Sequence, residues 1–256
     1  MPGSTGPLAF SNDSAGSAPE RDVALDPAEF AGALDAELVR ALAHLGEISA
    51  GAPREDAKVV DLLVAALKDE LEAAEIAAIW MAAESDLELK LGLARQVGDE
   101  ARHFRLLSDR LRQIGIDPDG LDPRGRGYSH TFRYLKGLQT PAERLAANAT
   151  REALTRMRNA RVAALFAARG DEESARLYRE VIGPDEAWHL DFARRMLPRY
   201  ALTVEDQERA RLAMARTLQL ADDQPEGARA KAGPAEPAGA GRPATPGSAP
   251  AGGSAT

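Results

Sequence analysis

The sequence predicts an all-α protein, and three features of its composition lead to this expectation. Ala, Leu, Arg and Glu are abundant, and these residues favour helix. Aromatic residues make up only 5% of the chain, and β-branched residues never form the runs that are typical of strands. Apolar residues instead recur at helical spacing over several long stretches. Helices packed against helices are therefore expected.

The two ends of the chain differ in composition from its middle. Residues 1–25 are rich in Gly, Ser and Pro, and residues 222–256 consist mainly of Ala, Gly and Pro. Such segments cannot bury enough apolar surface to order themselves. We therefore expect two disordered tails around one helical domain over 26–221, since a chain of this length can bury one sizeable core.

Capping residues and helix breakers divide this domain into helices. Residues 140–143 (TPAE) form a capping box with Pro at the first helical position, and Thr203 is expected to cap the last helix. Gly46 is expected to end the first helix, and Gly183-Pro184 to interrupt the fifth. The expected helices run from 26 to about 45, 53 to about 84, 87 to about 114, 141 to 169, 171 to about 197 and 204 to about 220.

The segment 115–140 is too long for a hairpin turn and is rich in Gly, Pro and Asp. A connection of this length lets the helix that follows run parallel to the one before it. The four long helices then form an antiparallel four-helix bundle with one long crossover, flanked by the first and last helices. Basic and aromatic residues alternate on the crossover, either as loop packing or as a site for an anionic or phosphopantetheine-tethered substrate: Arg124, Arg126, Tyr128, Phe132, Arg133, Tyr134 and Lys136.

Two of the four histidines occur in Glu-x-x-His motifs, Glu100/His103 and Glu186/His189. Residues three apart share one face of a helix, so each pair can bind a single metal ion. One such pair alone is common on helix surfaces. The two pairs therefore indicate a metal site only if further ligand residues accompany them.

Each motif has a glutamate at the matching depth of the preceding helix. Residues at equal depth in an antiparallel helical hairpin lie symmetrically about the turn. Reflection of the first motif leads to Glu70, and reflection of the second leads to Glu152. Glu72 and Glu75 lie on the more polar side of their helix, and Glu72 remains the alternative to Glu70.

The site predicted in this way combines four carboxylates with two imidazoles. Burial of four uncompensated carboxylates is prohibitive, and two divalent ions would cancel their charge. Mixed oxygen and imidazole ligands suit iron or manganese better than zinc or calcium. The chain has no cysteine, which excludes thiolate-bound zinc and Fe–S clusters within it. The expected ligands of two iron ions, or of a manganese–iron pair, are Glu70, Glu100, His103, Glu152, Glu186 and His189.

Residues 99–103 (DEARH) resemble the Asp-Glu-x-Arg-His signature of the ferritin-like di-iron oxygenases, which include bacterial multicomponent monooxygenases and relatives of ribonucleotide reductase small subunits. Residues 185–189 (DEAWH) are similar, with Trp188 at the position of Arg102. The resemblance covers about residues 55–197, within a metal-binding core of about 53–197. It implies a ferritin-like fold.

The resemblance also implies roles for single residues. Glu100 and Glu186 would bridge the two ions or lie between them, and Glu70 and Glu152 would be terminal ligands. Each ion would carry one histidine. Asp99 and Asp185 would accept hydrogen bonds from the imidazole N–H groups. Trp188 leaves open whether the second motif has an arginine network like that of Arg102, or whether the indole lines the pocket or simply packs.

The expected activity is activation of O2 to hydroxylate, desaturate or N-oxygenate a small organic substrate, with electrons from a separate donor or from the substrate. The alternatives are a ferroxidase or iron-storage protein, a peroxide-reducing protein, a tRNA hydroxylase and a non-enzymatic helical scaffold. A net charge of −8 disfavours binding to nucleic acid or to an anionic membrane. No targeting or spanning segment is recognisable, so a cytoplasmic protein is expected, as a monomer or homodimer rather than a closed shell.

Overall fold

The computed structural model describes residues 23–48, 58–123, 125 and 127–222. Almost all of the two predicted tails, the expected beginning of the second helix at 53–57, and Arg124 and Arg126 lie outside the described residues. All regular secondary structure in the described part of the chain is helical. The prediction of an all-α protein is therefore confirmed.

The helices follow the predicted order, with short additional turns between them. A 3₁₀ turn and α4 lie within the crossover, and a π-helical turn at Tyr178–Ile182 joins α6 to α7. The helices are α1 (Pro27–Ile48), α2 (Val59–Ala83), α3 (Leu87–Gln113), α4 (His130–Lys136), α5 (Pro141–Ala168), α6 (Glu172–Leu177), α7 (Gly183–Met196) and α8 (Val204–Asp222).

Local hydrogen bonds explain why most helices begin where the sequence predicts. The backbone N–H of Glu143 donates to Oγ1 of Thr140 at 3.3 Å, and the N–H of Thr140 donates to Oε2 of Glu143 at 2.8 Å. These two bonds complete the predicted capping box of α5. Oγ1 of Thr203 likewise accepts the N–H of Asp206 at 3.1 Å before α8.

The prediction that Gly46 ends the first helix is wrong, because α1 continues through it to Ile48. Glycine ends a helix when it adopts a left-handed conformation. Gly115 and Gly170 do so, with φ of 83° and 78°, directly beyond α3 and α5. Gly46 has no such φ, and it is accommodated as an ordinary helical residue.

The predicted interruption at Gly183-Pro184 is a change of helical pitch and not a break. The N–H of Gly183 donates to the carbonyl of Tyr178, five residues earlier. Pro184 has no N–H and cannot make the next α-helical bond. The wide turn at Tyr178–Ile182 shifts the hydrogen-bond register before the proline, so that helical structure passes without a gap from α6 into α7.

Two helical hairpins enclose the interior. α2 packs along α3, and α5 packs along the continuous segment of α6 and α7. Contacts of α3 with α7 and of α2 with α5 join the hairpins. α8 covers α5, and α1 contacts α8 and the 3₁₀ turn Leu197–Arg199 that follows α7. No helix in the described part of the chain is long and apolar enough to cross a membrane.

The interior has two apolar clusters with a polar layer between them. The larger cluster contains Phe30, Trp80 and Phe192, and the smaller contains Leu107 and Phe166. Helices α2, α3 and α5 contribute to both clusters, whereas α7 contributes to the larger and α6 to the smaller. The predicted metal ligands lie on these helices between the two clusters.

Candidate metal centre

The structure brings all six predicted ligands together in this polar layer. Their exposed fractions range from 0% to 6%. Two overlapping groups have ligand atoms within 4.8 Å of one another. The first consists of Glu70, Glu100, His103 and Glu186, and the second of Glu100, Glu152, Glu186 and His189.

Glu100 and Glu186 belong to both groups, whereas each histidine belongs to one. This is the arrangement that two neighbouring ions with two shared carboxylates would need. Glu70 belongs to the first group only, and Glu152 belongs to the second group only. These buried groups can hold a metal ion, and the individual ligand roles remain predictions.

Both imidazoles direct Nδ1 towards the carboxylates. Nδ1 of His103 lies 3.2 Å from Oε2 of Glu100 and 3.4 Å from Oε2 of Glu70. Nδ1 of His189 lies 3.7 Å from both Oε1 of Glu100 and Oε2 of Glu186. The Nδ1 atoms are therefore the ones positioned to bind metal.

The other nitrogen of each imidazole faces an aspartate of the opposite helix. Nε2 of His103 lies 3.0 Å from Oδ2 of Asp185, and Nε2 of His189 lies 3.2 Å from Oδ2 of Asp99. An imidazole that donates Nε2–H to a carboxylate presents an unprotonated Nδ1. The two aspartates thus favour the tautomer that a metal requires.

Each aspartate also has an arginine partner, but the two arginines come from different positions. Arg102 forms an ion pair with Asp185 across the interface of α3 and α7. Arg95, one helical turn before Asp99, reaches Oδ2 of Asp99 at 3.3 Å. Arg95 was not among the residues predicted from the sequence, although its i,i+4 spacing to Asp99 is a pattern that can indicate such a pair.

Trp188 packs in this region. Its ring stacks on Phe192 with 5.1 Å between centroids, and it meets His189 edge-on at 5.9 Å. The guanidinium carbon of Arg95 lies 3.7 Å from the indole centroid. The second motif therefore replaces a pairing arginine by an indole that supports Arg95 from the facing helix.

A buried amide pair holds the carboxylate of Glu152. Nε2 of Gln96 donates to Oε1 of Glu152 at 2.8 Å, and Nδ2 of Asn148 donates to Oε1 of Gln96 at 3.1 Å. Gln96 and Asn148 are each one helical turn from a predicted ligand. Neither was assigned a role from the sequence, although a Gln on the apolar face of α3 was a usable signal.

Arg151 enters the cluster from the side of α5. Its Nη2 donates to Oε1 of Glu100 at 3.2 Å and also to Oε1 of Glu152. Helical spacing gives no reason to expect this, because adjacent residues on a helix point in different directions. The long, flexible arginine stem brings the charge back to the face occupied by Glu152.

The protonation of the metal-free cluster follows from burial and mutual contacts. Burial raises the pKa of Glu70 to about 8, and burial also raises the pKa of Glu186 well above its ordinary value. Burial opposes charge on His103 as well, but hydrogen bonds to Glu100 and Glu70 outweigh it and raise its pKa to about 10. Burial likewise raises the pKa of Glu100, but the bond from His103 and the charge of Arg151 hold it well below its usual range.

Three potential ligand atoms are buried without a hydrogen-bond partner: Oε2 of Glu152, Oε2 of Glu186 and Nδ1 of His189. A buried polar atom normally has a partner, because an unpaired one costs about 1–3 kcal/mol. All three belong to the second group of potential ligands. The residues therefore fit a bound cation on an observation that does not depend on motif matching.

Glu72, the alternative to Glu70, has different partners. Its two oxygens accept hydrogen bonds from the backbone N–H of Ser129, at 2.9 Å, and from the Ser129 hydroxyl, at 2.5 Å. Ser129 caps α4. Glu72 thus anchors the crossover, and it belongs to neither group of potential ligands.

The basic and aromatic residues of the crossover do not form one site among the described residues. Phe132 is buried, and Tyr128 stacks on it with 4.1 Å between ring centroids. Arg133 and Lys136 are exposed. The aromatic residues of the crossover thus pack against the core. Binding of an anionic substrate by the crossover remains a prediction.

Comparison of the chain with models of protein families, with curated proteins and with solved structures gave no match.

Proposed function

We propose that the chain is a ferritin-like di-iron oxidoreductase that uses O2 to oxidise a small organic substrate. One observation carries the proposal: two overlapping buried groups of ligand atoms share Glu100 and Glu186. A structural network of carboxylates and histidines would leave few atoms unpaired, whereas here three lack partners. Two antiparallel hairpins joined by a long crossover support the ferritin-like assignment.

The proposed division of labour follows from the contacts. Ferrous ions held by the six side chains would supply electrons and open coordination positions for O2 chemistry. With metal bound, Asp99 and Asp185 would each accept Nε2–H of an imidazole and so leave Nδ1 to the metal. Gln96 fixes the orientation of Glu152. The two apolar clusters restrict the access of water to the polar layer.

Iron is proposed ahead of other metals because of the mixed carboxylate and imidazole donors, and a manganese–iron pair would use the same set. The chain has no cysteine, so it cannot hold an Fe–S centre of its own. Further electrons would then come from a separate reductase or from the substrate. The substrate oxidation itself is proposed as hydroxylation, desaturation or N-oxygenation.

Metal analysis and oxygen uptake test the proposal together. We expect about two iron ions per chain after anaerobic loading with ferrous iron, and rapid uptake of O2 when air is admitted. Glu186→Ala should lose at least one ion and the O2 uptake. Glu205→Gln, which changes an exposed carboxylate of α8, should retain both. A wild-type protein that binds no iron, or that binds it and consumes no O2, would overturn the proposal.

The fate of the iron separates an oxygenase from a ferroxidase. An oxygenase retains both ions after reaction with O2 and remains a monomer or small oligomer. A ferroxidase passes oxidised iron on and accepts further ferrous ions. Repeated additions of ferrous iron that each consume O2, together with a closed multi-subunit shell in size-exclusion chromatography, would favour iron storage.

A further inference from the structure

Arg151 is the charged group of the cluster that the proposed metal chemistry does not use. It donates to both Glu100 and Glu152, and these two carboxylates are predicted metal ligands. Its Nε is buried and has no hydrogen-bond partner. The arginine therefore donates to carboxylates that metal ions would coordinate, and its Nε–H remains available to a further acceptor.

Metal loading would leave the positive charge of Arg151 unbalanced. Glu70, Glu100, Glu152 and Glu186 together carry four negative charges when ionised, and two divalent ions balance them. Asp99 and Asp185 are balanced by Arg95 and Arg102. Among the described residues in hydrogen-bond contact with the six ligands, the positive charge of Arg151 is then left without a counterion.

Metal ions would also displace Arg151 from its present partners. Carboxylate oxygens that coordinate a cation are weaker acceptors, and two divalent ions repel a guanidinium a few ångströms away. A charge in such a site needs a partner, because an unpaired buried charge is strongly unfavourable. The loaded site therefore favours the entry of one negative charge beside Arg151.

The shape of the guanidinium indicates which anion fits. Nε–H and one Nη2–H of an arginine lie on a common edge and can donate two parallel bonds to one carboxylate. In Arg151 the Nη2 already faces carboxylate oxygens, and Nε is unpartnered. The side chain of Arg151 is 16% exposed, whereas those of Glu100 and Glu152 are 0% exposed. Part of the Arg151 side chain therefore reaches solvent, whereas its unpartnered Nε is buried beside the carboxylates.

We propose that Arg151 binds the carboxylate of the substrate next to the metal pair, and that the substrate is a small organic monocarboxylate. This inference rests on the proposed function, since it concerns the metal-loaded site. The anion and the metals bind cooperatively: metal loading frees Arg151, and the anion compensates its charge. By thermodynamic reciprocity, the anion strengthens metal binding by the same factor.

Calorimetric titration of protein loaded with two Mn²⁺ ions tests the proposal without any turnover. The probes are acetate and benzoate, with acetamide and benzamide as neutral analogues of the same shape. Arg151→Gln removes the charge, and Arg156→Gln removes an exposed arginine from the same helix as a matched control. Metal content is measured for every variant.

We expect a carboxylate to bind the loaded wild-type protein and the Arg156→Gln variant equally. Binding to Arg151→Gln should be weaker by about tenfold or more, which is the usual effect of losing a charge-assisted hydrogen bond. The neutral amides should bind weakly throughout. Metal-free wild-type protein should bind the carboxylate more weakly than loaded protein, because Glu100 and Glu152 occupy Arg151.

If Arg151→Gln fails to hold two ions, carboxylate affinity is compared between wild type and Arg151→Lys instead. Lysine retains the charge but not the two-donor edge, so carboxylate binding should weaken severalfold at unchanged metal content. Three results would overturn the inference and leave the proposed function standing. An Arg151 variant with two ions bound could bind the carboxylate as tightly as wild type does, the protein could bind acid and amide equally, or it could bind no carboxylate at all. A wild-type protein that takes up no metal would instead overturn the proposed function.

Discussion

Nε2 of His189 on α7 lies 3.2 Å from Oδ2 of Asp99 on α3, and the converse pair joins His103 on α3 to Asp185 on α7 at 3.0 Å. Each aspartate directly precedes the glutamate of one motif and contacts the histidine of the other. The two helices therefore orient each other's predicted ligands. These two Asp–His contacts can form together only when α3 and α7 are in the correct axial register.

Replacement of Asp99 by Asn should weaken metal binding by about tenfold, because partners of this kind typically contribute 10- to 100-fold to metal affinity. The amide has nearly the same shape as the carboxylate but lacks the negative charge that makes the imidazole a stronger ligand. Competition with a chromogenic chelator measures the change. Asp191→Asn is the control, since Asp191 lies on α7 and pairs with the exposed Arg195. Equal metal affinity of Asp99→Asn and wild type would contradict this role.

Glu70→Gln should change the metal content of the protein, whereas Glu72→Gln should change its stability. Glu70 belongs to the first group of potential ligands, so Glu70→Gln should reduce the tightly bound metal from two ions to one. Glu72→Gln should keep two ions but destabilise the fold by about 1.5 kcal/mol, because it weakens a charge-assisted bond to Ser129. Metal analysis and thermal unfolding distinguish the two. Loss of an ion from Glu72→Gln alone would show that Glu72 is the ligand.

Gly92→Ala should destabilise the interface of α3 and α7. A Cβ atom at Gly92 would lie 1.9 Å from Cζ of Phe192, so the Phe192 ring and its neighbours would have to move. Overpacking of this kind costs about 1–3 kcal/mol. Metal affinity should fall as well, because α3 and α7 each carry a Glu-x-x-His motif.

Gly98→Ala is the matched control on the same helix. Apart from its chain neighbours and the backbone of its own helix, no heavy atom lies within 4 Å of a Cβ built there. The substitution should therefore stabilise α3 by about 0.5–1 kcal/mol. Thermal unfolding of both variants, with and without metal, measures the difference. Similar stabilities of the two variants would contradict a close approach of α3 and α7 at Gly92.

Features with local physical causes could be predicted from the sequence. The capping box at Thr140 and the end of α5 before Gly170 depend on a few adjacent residues, and both are present. The meeting of Glu70 with the first motif could be anticipated because antiparallel helices place residues at equal depth. Local signals were insufficient at Gly46, where a helix tolerates glycine, and at the π-helical turn, which depends on how α6 and α7 align.

The parts of the site that the sequence analysis missed depend on long side chains. Arg95 and Arg151 reach groups that their Cα positions do not face, so helical periodicity cannot find them. Gln96 and Asn148 were missed for another reason: a buried amide has many possible partners until the facing helix is placed. The contacts of Arg151 with Glu100 and Glu152 depend on how its side chain folds back, which the sequence does not give.

The metal affinity of the cluster should rise with pH. In the metal-free protein the pKa of Glu70 is raised to about 8 by burial, and the pKa of His103 is raised to about 10 by its hydrogen bonds to Glu100 and Glu70, which outweigh burial. Both groups hold protons near neutral pH, and a metal must displace them. Calorimetry in buffers of different ionisation enthalpy should therefore detect proton release on metal binding. Glu70→Gln should release fewer protons than wild type.

The same pKa values fix how stability changes with pH. Both groups have a higher pKa in the folded metal-free protein than their ordinary values of 4.5 and 6.5, so the protonated forms stabilise the fold. This stabilisation is complete below the ordinary pKa values and is lost as the pH rises through the folded-state values. The melting temperature of metal-free protein should fall as the pH is raised from about 5 to about 9. Because metal binding strengthens over the same pH interval, the difference in melting temperature between loaded and metal-free protein should widen. A difference that stays constant or narrows would contradict protonation of the metal-free cluster at these two residues.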